Sequence, residues 1–322
     1  MPKKSLSVLV PTFNAAKYVV ETTESILKQS RMPDEIIFCD DVSTDNTVDI
    51  LQDYASRYKG LIRVLRNEKN LGLAGNRQRL LEATNCDMVK FFDDDDIMHR
   101  CLLELLAALL ECGEYDVTAC SVLNFDNNDI NQISGDFPVR LREWNEPPWA
   151  HHIAIAGHVI NKMHDRKFLL QAGGFQNLKG PGEDFQLDLV LMKVGARIGI
   201  VADHLVYHRS RKTPRTFTNE QLMNNAFRFL QEAVNEIESR GNFSGHPKQR
   251  KILADRLWHM GRLLSDGGQF DLAMEAFAAS RKLLNQGIVY GGFFYKIVAT
   301  FLGIGAAEKM RCQLSKIKNK AR

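Results

Sequence analysis

The sequence has neither of the two glycine-rich loops that commonly hold the phosphates of a nucleotide. It contains no G-x-x-x-x-G-K-[ST] segment, and no G-x-G-x-x-G follows an apolar strand pattern. Proteins with those loops surround the phosphates with backbone N–H groups. A nucleotide diphosphate bound by this chain would therefore have to be held by a metal ion and by basic side chains.

Cysteine pairs, a secretory leader and a strong charge excess are also missing. The six cysteines include no C-x-x-C pair, and the net charge is only +3. A disulfide framework, a zinc ribbon and a nucleic-acid partner are therefore not expected. Cys39, Cys101 and Cys112 lie in apolar patterns, which predicts small buried side chains in a reducing compartment. The N-terminus runs directly into a strand pattern, so we expect a cytoplasmic protein.

The first 125 residues alternate short apolar strands with amphipathic helices. Repeated βα units of this kind predict an α/β fold with a mostly parallel, Rossmann-like central sheet flanked by helices. The predicted strands are 5–13, 35–39, 62–65, 88–92 and 116–125, and a later strand is predicted at 198–207.

The chain changes character after residue 217 and shows only helical patterns from there on. We predict a catalytic domain at 1–217 and an all-α region at 218–322, in which 261–277 resembles one tetratricopeptide-type hairpin. The apolar stretch at 287–307 precedes a basic tail. It is expected either to contact an anionic membrane surface as a peripheral segment or to dock as a C-terminal helix.

Four consecutive aspartates, Asp93–Asp96, follow the apolar run at 88–92. Four adjacent carboxylates repel one another unless a cation or hydrogen-bond donors lie near them. Mg²⁺-type sites commonly combine one or two carboxylates with substrate phosphates, so the run predicts a metal site for a phosphorylated substrate. The alternative is an acidic cap for the helix that follows, although a cap needs only one or two of these residues.

Polar residues also follow the first two predicted strands. The segment Pro11, Thr12, Phe13, Asn14 ends the first strand, and Asp40 and Asp41 end the second. In a parallel sheet these exits and the aspartate run lie along one edge, where open α/β sheets bind their ligands. The alternative for Asp40 and Asp41 is an Asx-turn that leads into a helix cap.

Charged residues at two predicted helices complete the candidate set. Arg77 is a candidate for holding a diphosphate, whereas Arg79 is expected on a solvated helix face. Asp184 begins a helix after a glycine-rich stretch and is predicted to act as a general base. The alternative is that Glu183 and Asp184 are first-turn acids that interact with the helix dipole.

Together these segments resemble the family 2 glycosyltransferases, inverting enzymes with the GT-A fold. The resemblance covers about residues 5–215. It rests on the P-x-[FY]-N segment, the acidic strand end with Ser43-Thr44-Asp45, Asn70-x-Gly72 with Arg77, a DxD-type element at Asp93–Asp95, Gly173-Gly174-Phe175 and the pair Glu183-Asp184. One departure is Val42, which stands where the family usually has glycine.

The resemblance implies transfer of a sugar from a nucleotide-diphosphate sugar (UDP-, GDP- or dTDP-linked) to the hydroxyl of a glycan or glycolipid acceptor, with Mn²⁺ or Mg²⁺ as cofactor. It implies that Asp184 is the base and Asp95 a metal ligand. The donor nucleotide is expected at Pro11, Thr12, Phe13, Asn14, Asp40, Asp41, Arg77, Asp93 and Asp94. His208 is expected near metal or phosphate, and Glu183, Trp149 and His158 near the sugar or acceptor.

Two other functions remain open at the level of sequence. A nucleotidyltransferase also places aspartates and a metal in an α/β sheet, although it would need a glycine-rich basic loop near the first strand. A non-catalytic nucleotide-sugar-binding or scaffold protein would place Asp184 away from the aspartate run. The basic run Arg209, Arg211, Lys212 and Arg215 is expected to be a solvated loop or a lid over the diphosphate.

Overall fold

The computed structural model describes residues 3–126, 129–137, 152, 158–178, 182–210, 219–241, 246–284, 299 and 304–320. The chain divides into two compact units, Met1–Arg215 and Thr216–Arg322. The first unit contains the sheet, and the described residues of the second unit are helical.

Four parallel strands form one half of the sheet, in the order β3-β2-β1-β4. Every residue of β1 is buried, as expected for a strand whose two faces are both covered by helices. The strands are β1 (Leu6–Thr12), β2 (Glu35–Asp40), β3 (Ile62–Arg66) and β4 (Met88–Phe91). They are connected by α1 (Val19–Leu27), α2 (Thr47–Arg57) and α3 (Gly72–Ala83).

The other half of the sheet is mixed. Beyond β4 the order continues β8-β6-β9-β5, and β7 pairs with β6. Strand β8 is antiparallel to both β4 and β6, β9 is parallel to β6, and β5 is antiparallel to β9. These strands are β5 (Ile97–Met98), β6 (Val117–Asp126), β7 (Ile133–Phe137), β8 (Lys162–Asp165) and β9 (Ile198–Ser210).

The described part of this unit also contains the helices α4 (Leu102–Glu111), α5 (Arg166–Gln171) and α6 (Glu183–Lys193). The predicted α/β class with flanking helices is confirmed, and the helical C-terminal region is present. The sequence pattern did not predict β5, β7 or β8, because β5 is two residues long and the other two carry polar residues.

The parallel pairing brings three strand exits to one edge of the sheet. Because β1 lies between β2 and β4 and runs parallel to both, the segments after Thr12, Asp40 and Phe91 emerge side by side. The backbone N–H of Asp41 donates to the Thr12 carbonyl at 2.8 Å, which ties the first two exits together. This edge carries the candidate site.

The described part of the second unit consists of α7 (Asn219–Ser239), α8 (Pro247–Asp266), α9 (Phe270–Leu284) and α10 (Ile304–Lys320). Helices α8 and α9 pack through aromatic rings, with the Trp258 and Phe277 centroids 4.6 Å apart. Within the described ranges, no helix combines the length and apolar character needed to cross a membrane. Most of the apolar stretch predicted at 287–307 lies outside the described residues.

The cysteines correct one detail of the sequence prediction. All six are free thiols, and Cys39 and Cys120 are buried as expected for small apolar side chains. Cys112, however, is exposed, and Cys101 is only half-buried. Both flank α4, whose buried face is formed by leucines and alanine, so neither position is needed for the core.

Candidate active site

The loop after β1 presents an exposed aromatic side chain. Phe13 is 51% exposed, and its backbone N–H donates to Asp94 Oδ2 at 3.1 Å. The next residue, Asn14, accepts from the Thr44 backbone N–H at 2.8 Å and donates its own N–H to Ser43 Oγ. The loops after β1, β2 and β4 are therefore joined directly by hydrogen bonds.

The two acids after β2 are buried and have different partners. Asp40 Oδ2 accepts from the Ser43 backbone N–H, whereas its buried Oδ1 has no hydrogen-bond partner among the described residues. The Asp41 carboxylate accepts from the backbone N–H groups of Leu71 and Gly72 at 2.8 and 3.0 Å. Asp41 thus stabilises the start of α3, and its contact with a nucleotide stays a prediction.

Backbone strain is concentrated in these same loops. Asn14 and Val42 have φ values of 52° and 68°, and among the described residues they alone adopt positive φ without being glycine. Asparagine tolerates the left-handed region, but a β-branched side chain adopts it at a cost. Such strain persists where the surrounding structure imposes it, and it clusters at ligand-binding sites.

The aspartate run forms a turn in which the carboxylates have different surroundings. Asp93 pairs with Arg77 Nη2 at 2.8 Å, and Asp94 accepts from the Phe13 backbone N–H. Asp96 is fully buried and accepts from the Arg209 backbone N–H at 2.8 Å. Asp96 therefore does not cap α4, which begins later, after Cys101, and the helix-cap alternative fails for this residue.

Arg77 joins three carboxylates from distant parts of the chain. Its side chain is 1% exposed, and besides Asp93 it contacts Glu183 Oε1 at 2.9 Å and Asp184 Oδ1 at 2.6 Å through Nη1. The fourth-strand exit and the start of α6 are thereby held together by one guanidinium group. The base candidate Asp184 thus lies beside the aspartate run.

The pKa values of Arg77 and Glu183 in this cluster are shifted strongly from their ordinary values. Burial alone would lower the pKa of Arg77, but the carboxylates of Asp184, Asp93 and Glu183 outweigh it and raise that pKa well above its ordinary value. Burial, together with the neighbouring Asp184 charge, raises the pKa of Glu183 to about 7. Arg77 is therefore cationic at every physiological pH, whereas Glu183 changes charge near neutrality.

Asp184 sits at the start of α6, directly after Gly182 and Glu183. Gly182 has φ 82°, a left-handed conformation that glycine adopts without steric cost. The side chain of Asp184 is 20% exposed, and its Oδ2 accepts from the Val159 backbone N–H at 3.2 Å. One oxygen of the carboxylate therefore contacts Arg77 and the other contacts the backbone of Val159, next to His158.

Two histidines that were predicted to belong to the site, His158 and His208, lie next to each other, and His158 precedes the Val159 that contacts Asp184. The rings of His158 and His208 are edge-to-face with centroids 5.9 Å apart. His208 Nδ1 lies 3.0 Å from Asn124 Oδ1, and a partner of this kind on one ring nitrogen is typical of metal-binding histidines. The remaining predicted acceptor residue, Trp149, lies outside the described residues.

The residues present suit a hard divalent cation that is completed by substrate oxygens. Across the part of the chain that the structure describes, no three histidine, cysteine or acidic side chains form a group that could hold a metal by themselves. Mg²⁺-type sites, however, commonly use only one or two protein carboxylates, with phosphate and water as the other ligands. The Asp93–Asp96 turn at the exposed strand edge meets that requirement.

A buried lysine beneath the aspartate turn was not predicted from the sequence. Lys90 is fully buried in β4, and its ammonium group donates to the Ile160 and Lys162 carbonyls. Burial lowers the pKa of Lys90 to about 7, because desolvation disfavours the charged form. Its neighbour Lys162 is paired with Asp188 at 2.7 Å. The sequence feature that could have indicated this buried group is a lysine inside an apolar run.

The comparison with known proteins decides which family this arrangement belongs to. The model of "Glycosyl transferase family 2" matches residues 7–167, which is half of the chain. The chain belongs to this family. The match includes the three strand exits and Arg77, and it ends before Glu183 and Asp184.

Curated relatives of this glycosyltransferase family member align with about two fifths of the chain. The chain is 33% identical to the glycosyltransferase GlyG of Streptococcus pneumoniae over 126 residues, which covers 39% of this chain and 42% of GlyG. It is 30% identical over 129 residues to the poly(ribitol-phosphate) beta-N-acetylglucosaminyltransferase TarS of Staphylococcus aureus, covering 39% of this chain and 22% of TarS. The aligned segments thus span less than half of the length of these relatives.

A solved structure extends the likeness in fold to most of the chain. The crystal structure of residues 1–349 of S. aureus TarS in complex with UDP-GlcNAc superposes with a TM-score of 0.57 at 20% identity. The superposition covers 87% of this chain and 90% of that one. At this identity the likeness establishes a shared fold, which is the GT-A-like fold expected from the sequence.

Proposed function

We propose that this protein is an inverting glycosyltransferase that moves a sugar from a nucleotide-diphosphate sugar to an acceptor hydroxyl. The observation that carries the proposal is the Arg77 cluster, which places Asp184 beside Asp93 although the two lie far apart in sequence. A scaffold protein without catalysis would have no need to hold a partly exposed carboxylate at the aspartate turn. Family membership supports the same reaction class.

In the proposed reaction Asp184 removes the proton from the acceptor hydroxyl. The oxygen forms a bond to the anomeric carbon from the face opposite the diphosphate, and the bond to the diphosphate breaks with its electron pair leaving on oxygen. This single displacement inverts the anomeric configuration. Arg77 keeps Asp184 in place, and the hydrogen bond from the Val159 N–H fixes the second carboxylate oxygen.

We further propose a metal-dependent donor site in which Asp95 is a ligand and His208 lies close to the metal or phosphate. When bound, Mn²⁺ or Mg²⁺ would act as a Lewis acid for the charge that develops on the leaving diphosphate. Asp93 and Asp94 border the same turn, and Phe13, Asn14, Asp40 and Asp41 line the neighbouring exits, where the nucleoside is proposed to bind.

The first donor to test is a UDP-sugar, because TarS, whose fold is similar, was solved with UDP-GlcNAc. We propose a glycan or glycolipid of the cell surface as the acceptor, since TarS is named for transfer onto poly(ribitol-phosphate). We also propose that the protein works in the cytoplasm or at the inner face of the membrane.

A donor screen tests the proposal directly. UDP-, GDP- and dTDP-sugars are incubated with the protein and Mn²⁺ or Mg²⁺, and release of the nucleoside diphosphate is measured, with chelator as the metal-free control. Asp184→Asn is expected to lower turnover by at least about a hundredfold, because general-base catalysis contributes about that much, while donor affinity is retained.

The matched control is Asp53→Asn, which removes an exposed carboxylate on α2. It should leave turnover unchanged. Full activity of Asp184→Asn would eliminate this residue as the base, and binding of every donor without any release of nucleoside diphosphate would favour a non-catalytic binding protein.

A further inference from the structure

Arg209 is the second-to-last residue of β9 and belongs to a run of basic residues that was expected to be a solvated loop or a lid. The structure contradicts that expectation for this residue, because its side chain is only 1% exposed. The guanidinium carbon lies 4.6 Å from the centroid of the Phe125 ring and 5.0 Å from that of the Tyr18 ring. A cation over an aromatic face is attracted by the ring electrostatically, so both rings stabilise the guanidinium group at this position.

The polar atoms of Arg209 are directed at the aspartate turn. Nε donates to the Asp95 carbonyl at 2.8 Å, and the backbone N–H donates to Asp96 Oδ1 at 2.8 Å. Nη2 pairs with Glu21 Oε2 on α1 at 2.5 Å. Arg209 therefore binds two consecutive aspartates and connects them to helix α1 through Glu21.

The strand pairing beside Arg209 reinforces this arrangement. Strand β5, which directly follows Asp96, is antiparallel to β9, with Ile97 opposite Tyr207 and Met98 opposite Val206. The backbone after the aspartate turn is thus fixed by β9, and Arg209 continues the contact into the turn itself. The other end of the turn is fixed by β4 within the parallel half of the sheet.

We propose that Arg209 is a positioning residue that fixes the Asp95–Asp96 backbone and thereby orients the Asp95 carboxylate toward the cation proposed for the donor site. The inference rests on the proposed function and adds a residue outside the set assigned to that site. Arg209 would touch neither donor nor acceptor. Its planar group satisfies the Asp95 carbonyl, the Glu21 carboxylate and two ring faces at once, which a lysine ammonium group does not reproduce.

Arg209→Lys provides the sharpest test, because it keeps the charge next to Glu21 and removes the Nε–H donor to Asp95. Hydrogen exchange of the peptide Asp93–Met98 reports the order of the turn without requiring turnover. We expect faster exchange in this peptide than in the wild type. We also expect about tenfold weaker binding of Mn²⁺ in the presence of UDP, the usual effect of losing a partner that orients a ligand.

Arg31→Lys is the matched control. Arg31 is 10% exposed, pairs with Glu111 and donates to the Lys4 carbonyl, so it resembles Arg209 in its contacts. It lies near the start of β1, at the opposite end of the strand from the aspartate turn. Its lysine variant should leave both the exchange of Asp93–Met98 and the binding of Mn²⁺ with UDP unchanged.

The outcomes separate this inference from the proposed function. If wild-type protein binds Mn²⁺ with UDP and Arg209→Lys behaves like the wild type in exchange or in binding, the positioning role is refuted and the function stands. If the wild type binds neither Mn²⁺ with UDP nor any other nucleoside diphosphate, the proposed function is refuted. The role of Arg209 toward a donor is then refuted as well. Faster exchange combined with weaker binding supports the inference.

Discussion

Replacing Arg77 with methionine should have the largest effect on stability of any single change at the candidate site. The substitution removes one guanidinium group and leaves three carboxylates facing one another. The ion pairs that are lost have N–O distances of 2.8, 2.9 and 2.6 Å, to Asp93, Glu183 and Asp184 respectively. None of the three carboxylates is more than a third exposed, so water replaces the lost partner only in part.

Breaking a buried ion pair by removing one partner costs about 3–5 kcal/mol. We expect a loss in this range for Arg77→Met at pH 8, which corresponds to roughly a thousandfold shift of the folding equilibrium. The loss should appear in the unfolding transition of the sheet-containing unit. Urea denaturation followed by circular dichroism measures it.

The stability lost in Arg77→Met should depend on pH, and the direction of that dependence follows from the raised pKa of Glu183. The pKa of this carboxyl is raised from 4.5 to about 7, so between those values the folded state binds more protons than the unfolded state. Stability therefore falls as pH rises through this window. Without Arg77 the carboxylates repel more strongly, so we expect Arg77→Met to lose more stability at pH 8 than at pH 6.

Arg31→Met serves as the control for this pH dependence. Its partner Glu111 has a pKa lowered by the hydrogen bond from Arg31, so the stability from that pair is complete above the ordinary pKa and is lost only in acid. Its cost should be equal at pH 6 and pH 8. A loss for Arg77→Met below about 1 kcal/mol, or one that does not change between the two pH values, would contradict the reasoning about the cluster.

Further substitutions test the interior of each unit, one in the sheet-containing unit and a pair in the helical unit. Burial lowers the pKa of Lys90 to about 7, so above that pH the unfolded state binds more protons at this group than the folded state does. The stability of the wild type relative to Lys90→Met should therefore rise by about 1.4 kcal/mol per pH unit between pH 7.5 and 9. Parallel slopes of the two proteins in urea denaturation would refute this expectation. In the helical unit, Gly261→Ala would place Cβ 2.6 Å from the Phe277 ring and should lower the free energy of unfolding by about 1–3 kcal/mol. Gly305→Ala, whose Cβ would lie 3.5 Å from Met274 Sδ, should leave stability unchanged or raise it. Thermal denaturation measures both variants, and equal effects would show that the helices shift to make room.

The parallel half of the sheet was predictable from sequence, and the mixed half was not. Strands β1, β2 and β4 are predominantly apolar, which is the pattern of strands covered on both faces. The register of three adjacent parallel strands then requires that their exits share an edge. Strand β8, in contrast, contains Lys162 and His164, which are buried although their side chains are polar.

The residues of the candidate site could be named from the sequence, but their contacts could not. Arg77 was expected to hold a diphosphate, whereas in the structure it pairs with Asp93 and also with Glu183 and Asp184, the last of which is 107 positions away from Arg77 in sequence. No local pattern indicates which acids share a cation at that separation. Arg209 was placed in a solvated run because charge alone does not reveal the two aromatic rings that enclose it.

The pairing of β5 with β9 has a consequence for the order in which the protein folds. The two strands are separated by about a hundred residues of chain, and contacts of such long range form late because the loop between them must first be closed. The aspartate turn therefore acquires its final shape only when the last strand of the sheet has docked. Recovery of the proposed nucleotide binding during refolding should lag behind the return of helical signal, so that binding would report completion of the sheet.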